Sequence, residues 1–324
     1  MTRPTMVHLA IGIAALALPT TALAHDDHTA AKPASKTQTV KLRFAAVAGS
    51  TPVSCDAPIA GLGTSAQTAQ LKDLRFFVSD VKLVRKDGTA ATLKLKANKD
   101  YRVAGSKGSV SLIDLENGAG ACAEEGTPGT NASVIGTVPA GKYVGVRWTL
   151  GVPFALNHTD TSSAAGPLGL SAMGWSWQFG RKFMKVEFAD PAASGTAPAS
   201  GGHQMAVRSA AGWASPVYYV HVGSTGCTGN PATGAAVACL APNRADVKLA
   251  KFNPATQQVA VDVKELLAGN DLAKSPDMMP GCMSGPVDPE CESEFKALGI
   301  RWSADGKANG KPTGSQSVFR PINR

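Results

Sequence analysis

The chain has 324 residues, enough for one large domain with its own hydrophobic core. Only 17% of the residues are charged and 44% are hydrophobic, which excludes disordered, coiled-coil and collagen-like proteins. The formal net charge is +8 without any run of five like charges, so this charge indicates a soluble surface and does not predict nucleic-acid binding.

The first segment of the chain is predicted to be a secretory signal peptide. Arg3 supplies a positive charge, residues 9–18 form a short apolar stretch, and Ala22-Leu23-Ala24 matches the A-x-A cleavage pattern. We therefore expect residues 1–24 to be removed after Ala24 and the mature chain to be periplasmic. The apolar stretch is too short to cross a bilayer, and no later stretch is predicted to span a membrane.

A flexible leader is predicted over residues 25–38, followed by a single all-β domain over residues 39–324. The alternation of Val40, Leu42 and Phe44 with charged residues is typical of a half-buried strand. Similar runs follow, separated by turn residues and with no regular helices between them. This pattern favours an antiparallel β-sandwich with long loops over a parallel α/β sheet. The later strands are predicted at residues 74–84, 110–115, 134–138, 143–150, 183–188, 217–222, 247–252 and 259–263.

Two short helices are expected in the C-terminal part of the domain. Asp262 is a candidate N-cap for a helix over residues 263–268. Asp288 is a candidate N-cap for a second helix, which would begin with Pro289 and end before Gly299. Helices are therefore expected to be a minor part of the fold.

The predicted mature chain contains six cysteines, and an even number in an exported protein predicts disulfides. None of them forms a C-x-x-C pair, which argues against a zinc ribbon or a thioredoxin-like motif. The alternative is that some thiolates are metal ligands. Proximity along the chain predicts the pairs Cys55–Cys122, Cys227–Cys239 and Cys282–Cys291.

The sequence patterns of common enzymes are absent. The chain has no G-x-S-x-G, no H-E-x-x-H, no Walker A loop and no C-x-x-C-H haem attachment site. Its carboxylates are scattered along the sequence without an obvious pair. We therefore expect that the protein is not an enzyme.

Two histidines and two tryptophans are candidate site residues. His158 follows a predicted strand, and His221 lies in or at the end of another, on the same face as Tyr219. Imidazole binds both copper and zinc, although a lone histidine is more often a hydrogen-bonded structural residue. Trp175 and Trp177 would share one face of a strand, where a tryptophan pair is typical of a core or of a platform for an organic ligand.

Several sequence segments, taken together and in order, resemble the MbnP-like family. This is a family of periplasmic copper-binding proteins from methanobactin operons and related "metallo-mystery pair" loci. The segments are LRFFVSDV at residues 74–81, LGVPF at 150–154 with Asn157-His158, MGWSWQ at 173–178, HVGSTGC at 221–227, and GCMSG at 281–285 with Cys291. The resemblance extends from about Val40 to Gly299, which is nearly the whole mature chain.

The resemblance implies a copper site that is completed by a modified tryptophan. In such proteins a partner dihaem enzyme, related to cytochrome c peroxidases and MauG, oxidises one tryptophan to kynurenine, whose aromatic amine adds a nitrogen donor. By the same resemblance, His158 and His221 would be copper ligands. Trp175 would be the modified residue, with Trp177 as the alternative. The chain would then be the substrate of its partner.

Two other functions remain open at this point. The domain could bind an organic ligand on Trp175 and Trp177, in which case it would bind sugar and no copper. It could also be an independent copper oxidoreductase, in which case the purified chain would turn over without a haem partner. Intact mass and metal content of the native protein distinguish these functions.

Overall fold

In the computed structural model, the described residues are 36–175, 180–192, 213, 215–230, 235–274 and 280–324. The predicted signal peptide lies outside them. The strands are β1 (Thr37–Ala48), β2 (Thr51–Pro52), β3 (Pro58–Leu62), β4 (Gln67–Val84), β5 (Ala90–Thr92), β6 (Lys94–Leu95), β7 (Arg102–Gly105), β8 (Gly108–Asp114), β9 (Ser133–Pro139), β10 (Gly145–Leu150), β11 (Lys182–Ala189), β12 (Val217–Gly223), β13 (Thr225–Asn230), β14 (Ala235–Ala241), β15 (Ala245–Leu249), β16 (Gln257–Asp262), β17 (Gly281–Cys282) and β18 (Phe319–Asn323). The α-helices are α1 (Phe154–Asn157), α2 (Val263–Leu267) and α3 (Cys291–Leu298), and 3₁₀ helices span Gly120–Cys122, Gly166–Gly169 and Ser171–Met173. Because β1 begins at Thr37, the last residues of the predicted leader belong to a sheet.

The described strands form a β-sandwich of two sheets and a separate hairpin. The smaller sheet has the order β18-β16-β1-β9-β6, with β2 beside β1. The larger sheet has the order β15-β10-β4-β11-β12-β17; β3, β5 and β8 also pair with the long strand β4, and β7 pairs with β8. The hairpin consists of β13 and β14.

Most strand pairs are antiparallel, as the sequence predicted, but two pairs are parallel. Strand β1 pairs in parallel with β16, so that Phe44 lies opposite Val259. Strand β12 pairs in parallel with β17, so that Tyr219 lies opposite Gly281. Parallel pairs join strands that are distant in sequence, and turn residues therefore give no signal of them.

Aromatic side chains from both sheets meet in the main core. The ring of Phe44 in β1 packs edge-on against Phe76 in β4 at 5.4 Å and against Trp148 in β10 at 5.8 Å. Phe319 in β18 contacts the same Phe76 and Trp148 rings at 5.7 and 5.6 Å. Such edge-to-face contacts stabilise the pairs beyond their buried area. The C-terminal strand is thus an integral part of the core.

A second, smaller apolar cluster lies on the opposite face of β4. Phe76 points into the main core, and its neighbour Phe77 points into this cluster, as the alternation of a strand requires. The cluster also contains Leu156 of α1, Met173 of the last 3₁₀ helix, and Phe183 of β11. It therefore anchors the segments that carry His158 and Trp175 to the larger sheet.

The structure contains disulfides between the cysteine pairs that chain proximity predicted. These are Cys55–Cys122, Cys227–Cys239 and Cys282–Cys291, and no free cysteine remains. The last of them joins β17 to the first residue of α3.

The two predicted helices occur, with one difference in where they begin. Helix α2 follows Asp262, whose side chain accepts a hydrogen bond from the Lys264 backbone at 3.1 Å. Helix α3 begins at Cys291, later than predicted. The Asp288 carboxylate does accept a hydrogen bond from the Glu290 backbone at 3.0 Å, but residues 289–290 form a turn before the helix. The helix ends at Leu298, and the following Gly299 adopts a left-handed φ of 74°. No helix of the described residues is long and apolar enough to cross a membrane.

A buried carboxylic acid connects α3 to the larger sheet. Glu294 is fully buried and accepts hydrogen bonds from the Tyr218 hydroxyl, at 3.0 Å, and from the Asn270 side chain. Burial raises the pKa of Glu294 to about 8. The native protein therefore holds a neutral carboxyl here near neutral pH.

We expect that replacing Glu294 with Gln weakens the pH dependence of stability. In the folded wild-type protein, Glu294 keeps its proton up to about pH 8. In the unfolded chain, Glu294 has its ordinary pKa of 4.5 and loses the proton above that pH. Its free energy of unfolding therefore falls between pH 4.5 and about 8, by about 1.4 kcal/mol per pH unit for one proton. Glu294→Gln keeps an acceptor oxygen and removes the titration.

Urea unfolding at several pH values within this range measures the difference between the two proteins. Glu265→Gln, at an exposed position of α2, is the matched control and should leave the wild-type slope unchanged. If the free energy of unfolding depended on pH in the same way in wild type and in Glu294→Gln, the raised pKa of Glu294 would be contradicted.

Candidate functional site

His221 lies in β12, near the end of the strand, on the face that the alternation predicted. Its neighbours Tyr218, Val220 and Val222 point into the main core. His221 points to the other face together with Tyr219, and the two rings are 5.4 Å apart. The imidazole is buried.

The two ring nitrogens of His221 have different surroundings. Nε2 lies 2.7 Å from the Glu187 carboxylate, so it carries the hydrogen of a neutral imidazole and donates it to that carboxylate. Burial lowers the pKa of His221, although the nearby Glu187 carboxylate acts in the opposite direction. The lowered pKa favours the neutral ring. Nδ1 is buried and has no hydrogen-bond partner among the described residues. A buried acceptor nitrogen without a partner is unusual and is available to a ligand.

Glu187 is held in place by a network of buried charges. Lys185 Nζ lies 3.2 Å from the Glu187 carboxylate and 2.7 Å from the Asp73 carboxylate. Arg75 in turn lies 3.3 Å from Asp73. Burial raises the pKa of Glu187, but the hydrogen bond from His221 and the charge of Lys185 outweigh burial and lower it to about 2. Glu187 is therefore an ionised acceptor.

The network follows the register of the larger sheet. Asp114 in β8 lies opposite Arg75 in β4, Arg75 opposite Lys185 in β11, and Lys185 opposite His221 in β12. We call these four residues the ionic row. The row is not apparent from the sequence, because the charged residues are scattered along the chain. The signal was present as charged residues at single positions inside apolar strands.

Trp175 lies beside His221. The two rings are nearly perpendicular, with centroids 6.4 Å apart, and the indole is half-buried. Its backbone N–H donates to Gly180 O at 2.9 Å, and Gly174 pairs with Arg181, so the backbone around Trp175 is held against the residues that precede β11. The alternative candidate, Trp177, lies outside the described residues.

Gly223 at the end of β12 makes room for the Trp175 ring. A Cβ atom at this position would lie 2.8 Å from Trp175 Cζ3 and 2.9 Å from the backbone oxygen of Arg181. Both distances are shorter than real Cβ contacts, and the backbone oxygen is not free to move. The close packing of Trp175 on the end of β12 therefore requires glycine here.

His158 is the residue that directly follows α1. Its half-buried ring packs against Phe154 at 4.8 Å, and its Nε2 lies 3.2 Å from Asn157 Nδ2. The same Nε2 lies 3.5 Å from Sγ of Cys239, in the disulfide with Cys227. Nothing in the sequence pattern pointed to this sulfur–imidazole contact.

Asn157 ties the His158 turn to the ends of β11 and β12. Its Nδ2 donates to Ser224 Oγ at 2.9 Å, and its Oδ1 accepts from the Arg181 backbone at 2.9 Å. The buried Arg181 guanidinium donates to the carbonyl oxygens of Asn157 and Leu168. Burial lowers the pKa of Arg181 to about 10, so it remains charged and fixes the end of α1.

The structure places three of the predicted site residues at one end of the larger sheet. Trp175 contacts His221 directly. The His158 turn is bonded to the same strand ends through Asn157. In the described part of the chain, no contact joins the two imidazoles to each other.

Comparisons with known proteins give one consistent result. The family model described as MbnP matches residues 37–284. Among solved structures, the chain is similar to MbnP from Methylosinus trichosporium, with a TM-score of 0.72 and 32% sequence identity over 89% of this chain and 99% of that one. A search of curated proteins found no match.

We expect Gly223→Ala to displace the Trp175 ring. The added methyl group has no space, and overpacking of this kind costs about 1–3 kcal/mol of stability. Near-ultraviolet circular dichroism should change, and the change should vanish when the same substitution is made in a Trp175→Phe background.

Gly105→Ala is the matched control, because Gly105 is an exposed position of β7 where a Cβ atom meets nothing within 4 Å. Its stability should stay within about 0.5 kcal/mol of wild type. An equal effect of the two substitutions would contradict the packing role of Gly223.

Proposed function

The chain belongs to the MbnP family, and from this premise we propose that it is a periplasmic copper-binding protein. Its ligands would be His158, His221 and the kynurenine formed from Trp175. A dihaem enzyme, related to cytochrome c peroxidases and MauG, would carry out the oxidation. The observation that carries the proposal is the buried Nδ1 of His221, which has no hydrogen-bond partner among the described residues, in a ring that packs beside Trp175.

The surroundings of His221 fit a metal ligand. A histidine that binds metal through one nitrogen typically donates its other N–H to a carboxylate, which fixes the tautomer and the ring orientation. Glu187 supplies that carboxylate at 2.7 Å from Nε2 and leaves Nδ1 for the metal. Imidazole nitrogen is a good ligand for copper.

The position of Trp175 explains why oxidation would precede copper binding. Indole is a poor metal ligand. Oxygen atoms from peroxide inserted across its C2–C3 bond open the five-membered ring and leave water, and hydrolysis then removes the formyl carbon as formate. The amine that remains on the aromatic ring is a nitrogen donor close to His221. Because Trp175 is only half-buried, part of the residue is exposed and would be accessible to a docked partner enzyme.

His158 would supply the second imidazole. It is half-buried, which leaves a route for copper from solvent, and Asn157 with Arg181 fixes the turn on which it lies. Two imidazoles and one aromatic amine form a low-coordinate nitrogen site that is suited to Cu(I). In the proposed order of events, oxidation removes the indole ring beside His221 before the metal binds.

The disulfides support an exported location. Such bonds form and persist in oxidising compartments such as the bacterial periplasm. With the predicted signal peptide, this favours a role in copper handling outside the cytoplasm. The protein would be the substrate of its partner and a copper carrier, and not an enzyme itself.

Single substitutions test the copper ligands. We expect His158→Ala and His221→Ala each to lose most of the bound copper, because each removes one of few donors, while circular dichroism stays that of wild type. Tyr219→Phe keeps a ring beside His221 and serves as the control with full copper content. Unchanged copper content in both alanine variants would overturn the site.

Mass spectrometry tests the modification. Incubation with the dihaem partner and peroxide should add about 4 Da, the replacement of one carbon by oxygen. Trp175→Phe should abolish the gain, whereas Trp302→Phe should keep it. Fragment sequencing distinguishes Trp175 from Trp177, and oxidation at Trp177 would show that the residue assignment is wrong. Two intact tryptophans with full copper binding would refute the oxidation itself.

A further inference from the structure

The hairpin of β13 and β14 carries a disulfide that lies against His158. Cys227 and Cys239 are directly opposite each other, and among the described strands the two strands of the hairpin pair only with each other. One donor atom each of Cys227, Cys239 and His158 lies within 4.8 Å of the others. Two sulfurs and one imidazole are a common ligand set for thiophilic metal ions.

The same disulfide is the one that a reductant can reach. Cys239 is partly exposed, whereas both cysteines of the other two disulfides are at most 2% exposed and belong to the main core. Thiol–disulfide exchange requires direct attack on a sulfur atom, so access decides which bond is reduced in the folded protein. A surface cavity of about 260 Å³, lined in part by Phe154, Phe183 and Cys239, gives that access.

We propose that reduction of Cys227–Cys239 creates a second metal site, in which both thiolates and His158 bind a thiophilic ion of the Cu(I) or Zn(II) type. A dithiol reductant gives up two electrons and two protons and becomes a disulfide. The Cys227–Cys239 bond breaks to two thiols, and the metal displaces their protons. Ligand atoms around such an ion are about 3.5 Å apart, so the present positions need only a small adjustment.

The other cysteine pairs do not offer an equivalent site. Cys55–Cys122 lies near Glu116, and Cys282–Cys291 lies near Asp288. Both pairs are buried in the main core and are closed to reductant. Of the three disulfides, Cys227–Cys239 is therefore the one whose reduction would create a metal site.

The two sites share His158 and depend on different second ligands. The proposed copper site needs His221 and the modified Trp175, whereas the hairpin site needs Cys227 and Cys239. Both sites cannot use His158 at once, so the redox state of the hairpin would decide which of them holds a metal. The hairpin site itself rests on the described geometry and stands without the copper proposal.

The experiment uses the folded, oxidised, unmodified protein and Zn²⁺ alone, which has no redox chemistry. A limiting amount of dithiol is added, excess reagent is removed, and bound zinc is measured with and without reduction. We expect one zinc ion per chain only after reduction. Alkylation followed by peptide mass mapping should label Cys227 and Cys239 alone, and bound zinc should protect them. Simultaneous labelling of the other four cysteines, or no zinc uptake, would overturn the proposal.

Two histidine variants separate this site from the copper site. His158→Ala leaves the disulfide intact and should weaken zinc binding by the reduced protein by about tenfold or more. His221→Ala is the matched control and should bind zinc like wild type, whatever its copper content. Zinc binding of wild-type affinity in His158→Ala, or loss of zinc binding in His221→Ala, would refute the Cys227–Cys239–His158 site.

Discussion

Charge compensation across the larger sheet is the constraint on which the candidate site depends. Arg75 and Lys185 are removed from water, and this costs several kcal/mol per ion unless opposite charges lie close by. Asp73 contacts both cations, and Glu187 contacts Lys185 and then His221. The orientation of the His221 ring thus depends on Glu187, which these buried charges hold in place. A change at Asp73 or Arg75 would alter the site through Lys185 and Glu187.

Close packing at the ends of β11 and β12 places the remaining groups. Gly223 admits the Trp175 ring, and Gly180, with a φ of 79°, lies so close to Asn157 that a Cβ atom there would be 2.5 Å from Asn157 Nδ2. Asn157 and Arg181 then hold the turn on which His158 lies. Segments far apart in sequence therefore meet at one end of the sheet, where an oxidisable ring lies between polar, well-fixed neighbours.

Two kinds of chemistry meet at His158. On one side, Asn157 attaches it to the end of β12, the strand that carries His221 and against which Trp175 packs. On the other side, Cys239 Sγ lies 3.5 Å from its ring nitrogen. In the two proposals, the His158 imidazole is therefore the ligand that the copper site and the hairpin site have in common.

Local pattern alone determined the longer alternating strands, the Asp262 cap and the face of His221, because alternation and capping act between near neighbours in sequence. The order of several motifs also identified the family. Only the tertiary structure decided the parallel pairing of β1 with β16, the ionic row and the contact between His158 and Cys239. These features depend on the register between distant segments, and periodicity within one strand does not specify which row of another strand lies opposite it.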